Sequence, residues 1–152
     1  MVTIDDNKAL VLRAYLDGMN HRDMGVIREC FAPDYVNHFP AGEGEVRGIE
    51  EFTRVLGDFL GAFDNLVFTV EDVLGEGDRV ALRWSARGIH TGEYRGIPPT
   101  TVIAPTGREI SFSATDIYRV ADGRIVEEWN TLDGWDVMRQ MGVVRGPAAV
   151  SA

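Results

Sequence analysis

In the first third of the chain, apolar residues recur every three or four positions, a spacing that predicts amphipathic helices. The first helix is predicted in "DDNKALVLRAYLDGMN", the second from Asp23 to about Phe31, and the third in "GIEEFTRVLGDFLGAF". The stretch "YVNHFPAGEGEVRG" lies between the second and third helices and is rich in glycine and proline. It is interpreted as a loop.

The rest of the chain alternates apolar and polar residues, which predicts strands with one buried face. They are predicted in "NLVFTV", in "RVALRWSARGIH" and in the hairpin "ISFSATDIYRVADGRIVEEWNTLD". Helices followed by antiparallel strands predict an α+β fold, in which a cone-shaped, curved antiparallel sheet is closed by three N-terminal helices, with a short C-terminal helix. A single domain is expected over residues 1–152, with a core of about 7–142 and a loose tail at 145–152.

The hairpin carries an acidic residue on its more apolar face. The even positions of its first strand are the more apolar ones and are predicted to point inward: Phe112, Ala114, Asp116, Tyr118 and Val120. An unpaired buried carboxylate is costly, and its pKa rises until it stays protonated. Asp116 is therefore the principal candidate for a catalytic acid or base.

The residue that faces Asp116 depends on the turn. A two-residue turn at 122–123 would place Trp129 opposite Asp116. A three-residue loop with Gly123 in the left-handed conformation would place Glu128 there, and this arrangement is preferred because it sends both Glu128 and Asn130 inward.

The preferred arrangement brings two carboxyl groups together in an apolar environment. Ionising both carboxyl groups at once is energetically unfavourable, so the pKa of one of them should rise towards the range useful for proton transfer. Glu128 is therefore the second candidate catalytic residue. The alternative is that Asp116 is satisfied by Tyr118, Arg119 or a backbone amide, with Glu128 solvated at an edge.

Two histidines and an asparagine are further candidates. His90 shares a strand face with Trp84 and is predicted to form a catalytic acid/base pair with Asp116. Its alternative is a partly exposed residue at a strand end, hydrogen-bonded to the loop. Asn37 and His38 are expected near the mouth of the cone, where they would contact substrate or an attacking water. A loop-stabilising Asx turn is the alternative.

The remaining substrate-binding candidates are predicted to line the interior. Asn130 can orient a carbonyl or a water but cannot take up a proton at neutral pH. The others would form the walls of a pocket, with plain core packing as the alternative: Tyr15, Met19, Trp84, Phe112 and Ala114.

Composition narrows the classes of partner. The 152 residues are 45% hydrophobic and 26% charged, with a formal net charge of −9. Such an acidic surface disfavours nucleic acid and anionic membranes as partners. Cys30 is the single cysteine, which suits a cytoplasmic protein. No signal peptide or spanning apolar run is visible, and the histidines lack metal-ligand spacing, so no metal site is predicted.

Three segments resemble the SnoaL-like polyketide cyclase and ester cyclase family: "HTGEYRGIPPT", "DIYRVADGRIVEEWNTLDGWDVMRQMG" and the earlier "FAPDYVNH". Members carry H-x-G-x-x-x-G-x-P-P-T, an R-x-x-D-G-[KR]-I hairpin and a closing helix that ends R-Q-x-G. The resemblance extends from about Asn7 to Gly142. It implies the cone-shaped barrel shared with nuclear transport factor 2, a site that uses no cofactor, and a homo-oligomer, either dimer or tetramer.

The resemblance also relates the family's functional residues to this chain. The acidic residue of the family's last strand, a general acid/base in an aldol closure, corresponds to Asn130. The family's histidine on the preceding strand corresponds to Asp116, and a glutamine two residues earlier corresponds to Ala114. The early asparagine matches at Asn37. The chain thus resembles the family in its scaffold, whereas its acidic residues stand at other positions than the family's acid/base residues.

The sequence therefore predicts a cofactor-independent acid/base enzyme for an apolar oxygenated small molecule of secondary metabolism. Asp116 would act as the acid/base, with Glu128 or His90 setting its pKa. Aldol or enolate chemistry of the polyketide cyclase type is the first expectation, followed by hydroxylation, epoxide hydrolysis or dehydration. The alternative is a non-catalytic binding protein that uses the same cone, because fold does not determine function.

Overall fold

The computed structural model describes residues 3–39, 44–95 and 102–146.

The N-terminal helices begin at side chains that cap them. Thr3 forms a reciprocal capping pair with Asp6 at the start of the first helix, and Asp23 caps the second. The α-helices are α1 (Ile4–Arg13), α2 (Met24–Cys30), α3 (Ile49–Gly61) and α4 (Gly134–Gln140), and a π-helical segment, Ala14–Met19, continues α1.

Within the described residues, the strands form one six-stranded sheet and one small two-stranded sheet. They are β1 (Phe31–Phe39), β2 (Gly44–Arg47), β3 (Phe63–Glu76), β4 (Arg79–His90), β5 (Tyr94–Arg95), β6 (Val102–Ile103), β7 (Glu109–Ala121) and β8 (Arg124–Leu132). The large sheet has the order β2-β1-β8-β7-β4-β3 and is curved but not closed. Helices cover its inner face. Along β4 and β7, buried residues on that face alternate with more exposed residues on the outer face.

The α+β prediction is confirmed, with two corrections. The sheet is mixed, because β1 runs parallel to β8 while the other neighbouring strands are antiparallel. The segment interpreted as a loop, residues 35–48, contains residues 35–39 of β1 and all of β2. Pro33 lies where the pairing of β1 with β8 shifts register, between Phe31 and Val36, so its missing N–H removes no ladder hydrogen bond between these strands.

Aromatic rings fill one end of the inner face. Five of them pack with centroids 5.0–6.4 Å apart: Phe59, Phe63, Phe68, Tyr94 and Phe112. Burial of such side chains stabilises the fold by roughly 1.5–3 kcal/mol each. The polar residues of β1, β7 and β8 meet towards the other end of the strands.

A two-residue turn joins β7 to β8, which corrects the predicted three-residue loop. Asp122 and Gly123 have φ values of 49° and 71°. Aspartate and glycine tolerate this left-handed conformation, and it matches the twist of a hairpin. Ala121 pairs with Arg124 directly beside the turn.

One additional residue in β8 then resets the register. Val126 has no partner, because the pairing shifts by one residue there. A bulge of this kind reverses the faces that the following residues occupy, so Glu128 still points inward, as does Asn130.

The bulge also changes the pairing across the hairpin. Asn130 lies opposite Asp116, and Glu128 lies opposite Tyr118. Both predicted partners of Asp116, Glu128 and Trp129, are therefore wrong. A turn rule counts residues from the loop, so it cannot anticipate a residue inserted within the strand.

The rest of the chain beyond β8 is brief. The predicted closing helix is α4, whereas the predicted tail lies outside the described residues from 147 onward. In the described part of the chain, no helix has the length and apolar character needed to cross a membrane.

Gly92 lies where the loop after β4 touches the end of α3. Its backbone N–H donates to the carbonyl of Ala62 at 3.1 Å. A Cβ atom at this position would lie 2.7 Å from the backbone oxygen of Gly61. The contact leaves no room for a side chain.

Replacing Gly92 by alanine should lower the free energy of unfolding by about 1–3 kcal/mol, because the backbone must move to admit the methyl group. Gly57 in α3 is the matched control, since nothing lies within 4 Å of a Cβ atom there. Gly57→Ala should be neutral or stabilise by about 0.5–1 kcal/mol. Urea unfolding of both variants measures the difference, and equal stability would contradict the close contact.

Candidate active site

Strand pairing places polar residues side by side on the inner face. Asp116 on β7 lies opposite Asn130 on β8, and Tyr118 lies opposite Glu128. Asn37 on β1 lies beside Glu128 across the parallel pair. Three strands therefore supply one continuous polar patch, which the N-terminal helices cover.

The carboxyl group of Asp116 accepts four hydrogen bonds. Its Oδ2 atom accepts from Trp84 Nε1 at 2.6 Å, from the Tyr15 hydroxyl at 2.8 Å and from the Tyr118 hydroxyl at 3.2 Å. Its Oδ1 atom accepts from Asn130 Nδ2 at 2.6 Å. One oxygen is saturated by donors, whereas the other retains a free lone pair.

The carboxyl group of Glu128 is buried in the same network. Its Oε2 atom accepts from the Tyr35 hydroxyl and, at 3.0 Å, from Asn37 Nδ2. Its Oε1 atom lies 3.3 Å from the Tyr118 hydroxyl. The single hydroxyl of Tyr118 thus bridges the two acids.

Tyr15 enters the network from the π-helical segment. The widened turn carries it to the sheet, where its hydroxyl lies 2.5 Å from that of Tyr118. Single π-helical turns occur frequently at functional sites. Tyr15 was expected as an apolar wall, and the structure shows instead that it donates a hydrogen bond to Asp116.

Burial and charge affect the pKa values of the two acids differently. Burial, and then the charge of Asp116, hold the pKa of Glu128 well above its ordinary value. Burial also raises the pKa of Asp116, but hydrogen bonds from Trp84, Tyr15, Tyr118 and Asn130 oppose that rise. Burial and the neighbouring charge therefore favour the neutral form of Glu128, whereas the donors around Asp116 favour its charged form.

Counting protons leads to the same assignment. Tyr15 and Tyr118 have one hydroxyl proton each, yet four contacts join them to each other, to Asp116 and to Glu128 Oε1. A proton on Glu128 Oε1 can be donated to Tyr118, whose own proton then turns towards Tyr15 or Asp116, so three protons serve three of the four contacts. Burial raises the pKa of both phenols, so they remain donors.

Six of the predicted site residues belong to this network: Asp116, Glu128, Asn37, Asn130, Tyr15 and Trp84. Met19, Phe112 and Ala114 are buried nearby in the core, and Phe112 belongs to the aromatic cluster. Their contact with a substrate stays a prediction. Tyr35 and Tyr118 were not assigned as site residues; Tyr118 shares the strand face of Asp116, but Tyr35 lay in the presumed loop.

The predicted pairing of His90 with Asp116 is wrong. Asp116 pairs with Leu82, and His90 lies eight residues further along β4, about 26 Å at the usual rise of a strand. The His90 ring is buried beside Phe63, with Nδ1 3.0 Å from the Thr106 hydroxyl. Contact with the loop was the alternative proposed for it, although burial is complete rather than partial.

The predicted position of His38 is also wrong, because neighbouring residues of a strand point to opposite faces. Asn37 points inward, so the imidazole of His38 lies outside. It stacks on Trp129 and contacts Glu127 at 2.9 Å and Glu45 at 3.2 Å.

The interior beside the two acids is occupied by phenol and indole rings rather than by the open apolar cavity that was predicted. Two grooves of about 320 and 450 Å³ lie along β4 and β7, and their linings include neither Asp116 nor Glu128. Asn37 and Asn130 are half-buried, so the network approaches the surface at these two amides.

The network contains groups that exchange protons and hydrogen bonds. Among residues 3–39, 44–95 and 102–146, no group of three or more His, Cys, Asp or Glu side chains is placed to hold a metal ion. A charged carboxylate with one open lone pair can accept a proton from a bound molecule and return it.

Comparison with known proteins identifies the scaffold. The sequence model of the SnoaL-like polyketide cyclase family matches residues 9–141. This chain belongs to the SnoaL-like polyketide cyclase family. A comparison of the SnoaL-like chain with curated proteins finds no match.

Solved structures of related proteins are similar along most of the SnoaL-like chain. A candidate polyketide cyclase of Streptomyces antibioticus, IdmH, is 33% identical, with TM-score 0.74 and coverage of 90% of this chain and 98% of IdmH. AclR of Streptomyces galilaeus, a candidate hydroxylase, is 27% identical, with TM-score 0.80 and coverage of 97% and 87%. A SnoaL-like candidate cyclase of Jannaschia sp. CCS1 is 25% identical, with TM-score 0.82 and coverage of 97% and 98%.

Replacing Glu128 by glutamine should stabilise the SnoaL-like protein increasingly as the pH rises. In the folded protein the pKa of Glu128 is raised above its ordinary value of 4.5. The wild type therefore loses stability as the pH rises from 4.5 towards the pKa of the folded state. Glutamine mimics the neutral acid, because it can accept from Tyr35 and Asn37 and donate to Tyr118. Urea unfolding at several pH values measures the gain, about 1.4 kcal/mol for each unit by which the pKa is raised.

Glu127, the neighbour of Glu128 on the outer face, is the matched control with the opposite sign. Hydrogen bonds from His38 and Arg119 lower the pKa of Glu127. Its contribution to stability is present above the ordinary pKa and is lost as the pH falls through the folded pKa. Glu127→Gln should therefore destabilise at neutral pH and not in acid; the same pH dependence in both variants would contradict the assignment.

Proposed function

We propose that this SnoaL-like protein is a cofactor-independent acid/base enzyme that removes a proton from carbon beside a carbonyl group of an apolar oxygenated small molecule. One observation carries the proposal: Asp116 is a buried acid whose Oδ2 is held by three donors while Oδ1 accepts from Asn130 alone. This arrangement fixes the carboxylate and leaves it one position at which to accept a proton.

Each member of the network has a role in this scheme. Asp116 Oδ1 takes the proton from the carbon acid, which leaves an enolate. Asn130 holds Asp116 and orients the reacting molecule. Glu128 stays neutral, so that Asp116 does not face a second negative charge. In an aldol closure the enolate carbon then bonds to a second carbonyl carbon, and Asp116 returns the proton to the resulting alkoxide.

Polyketide cyclase chemistry is the favoured form of this proposal. It agrees with membership of the family and with the likeness to IdmH, 33% identical over 90% of the chain. The natural substrate would then be a polyketide of secondary metabolism. A homo-oligomer, dimer or tetramer, and a cytoplasmic location remain predictions.

Hydroxylation is the second candidate, because AclR is 27% identical over 97% of the chain. Both reactions begin by removing a proton from carbon, but hydroxylation then requires an oxidant such as molecular oxygen. A product that carries new oxygen, and forms only in the presence of air, would favour hydroxylation. Epoxide hydrolysis, dehydration and non-catalytic binding remain the further alternatives.

Exchange of carbon-bound hydrogen for deuterium tests the proposal without the natural substrate. The probe is 2-tetralone, an apolar ketone with exchangeable protons, followed by NMR in D₂O. The wild type should accelerate exchange, and Asp116→Asn should lower the enzymatic rate by about 10²–10⁴-fold, the range expected for loss of a general base.

Two comparisons keep this measurement specific. Glu128→Gln should retain exchange within roughly tenfold, because the amide imitates the neutral acid. His90→Gln should leave the rate unchanged, because His90 lies far from Asp116 along β4. If Asp116→Asn exchanges as fast as the wild type, Asp116 is not the base.

A further inference from the structure

The large sheet is open, so parts of its strands have no neighbouring strand. Among the described residues, the outermost strands β2 and β3 each have a strand partner on one side only. A third gap lies on β7, because the pairing with β8 ends at Ala114 and Leu132, whereas β7 begins at Glu109. Unpaired strand edges present N–H and C=O groups with which another chain can pair.

The side chain of Asn20 occupies the free edge of β3. Asn20 directly follows the π-helical segment, and it binds both backbone groups of one residue. Its Nδ2 atom donates to the carbonyl of Phe68 at 3.0 Å, and the Phe68 N–H donates to its Oδ1 atom at 2.7 Å. In an antiparallel pair, a neighbouring strand would use these same two groups. Nearby, Arg22 donates to the carbonyl of Phe63, the first residue of β3, at 2.7 Å.

The side chain of Gln140, from α4, occupies the gap on β7. Its Nε2 atom donates to the carbonyl of Ser111 at 2.8 Å, and the Ser111 N–H donates to its Oε1 atom at 2.8 Å. Just beyond the end of β8, the N–H of Asp133 donates to the carbonyl of Ser113 at 3.2 Å. Gln140 therefore continues this ladder where β8 has ended. Arg108 holds Gln140 in place by donating to its backbone carbonyl at 3.0 Å.

The two amides reproduce the hydrogen bonds of a neighbouring strand. A primary amide carries an N–H donor and a carbonyl acceptor, as a peptide unit does. Each of these side chains uses both groups on a single backbone residue. The remaining edge strand, β2, is only four residues long, and short edge strands are poor templates for pairing.

We propose that Asn20 and Gln140 take the places of missing strands and thereby prevent β3 and β7 from pairing with a strand of a second copy of this chain. The edge of β3 is the better template, because β3 is 14 residues long and carries the exposed apolar residues Val67 and Leu74. Two identical edges are complementary to each other in antiparallel orientation, so a second copy fits without any other partner. The inference does not depend on the proposed reaction.

Analytical ultracentrifugation of Asn20→Ala and Gln140→Ala tests the inference. At concentrations where the wild type keeps one size, each variant should form larger species, and the weight-average mass should rise towards twice that of the wild type. Gly92→Ala is the control for lost stability, because it strains a backbone contact but leaves both amides in place. It should keep the wild-type size. Wild-type size in both alanine variants at every concentration would overturn the inference.

Hydrogen exchange followed by NMR locates the contact. In dilute Asn20→Ala, the Phe68 N–H should exchange at least about tenfold faster than in the wild type, and its protection should return in concentrated samples as a second strand accepts from it. The Ser111 N–H reports in the same way on Gln140→Ala. Continued protection of the Tyr118 N–H shows that a variant is folded, and the two variants test separate edges. Association that leaves both reporter groups unprotected would also overturn the inference.

Discussion

The burial of Asp116 is the constraint on which the site depends. A carboxylate placed in an apolar interior without partners would be neutralised or expelled. Here an indole, two phenols and an amide donate to it, and each donor comes from a different part of the chain. The fold must bring a helix and three strands together to satisfy one acidic side chain, and this requirement explains why so much of the inner face is polar.

The second acid, Glu128, adds a further constraint on the protons of the network. Glu128 is buried within reach of the same phenol, so the pair is best satisfied when it holds a single proton. The donors around Asp116 favour its charged form, whereas the burial of Glu128 and the nearby charge favour a neutral acid. Two carboxyl groups thus differ in ionisation because their surroundings differ, which is the usual way in which one site obtains both an acid and a base.

Much of the fold was readable from periodicity, because helices and alternating strands leave regular patterns. Asp116 was identifiable for the same reason: a charge stood out on an apolar face. Residues whose position depends on tertiary contacts were not identifiable. Tyr35 lies on β1, but it begins the glycine- and proline-rich segment that was interpreted as a loop. The register of β8 depends on the bulge at Val126, which no local pattern marks. His90 was misplaced because two residues on one face of neighbouring strands can still lie far apart along the strands. His38 was misplaced because neighbouring residues of a strand point to opposite faces.

The partners of the network are widely separated in sequence. Tyr15 and Asp116 are 101 residues apart, Tyr35 and Glu128 are 93 apart, and Asn37 and Glu128 are 91 apart. Contacts of such high order form only after long loops have closed, and they slow folding. A nascent or partly folded chain has the acids but lacks their donors. The hydrogen-bond network around the two acids is consequently complete only once the N-terminal helices have docked and β1 has paired in parallel with β8.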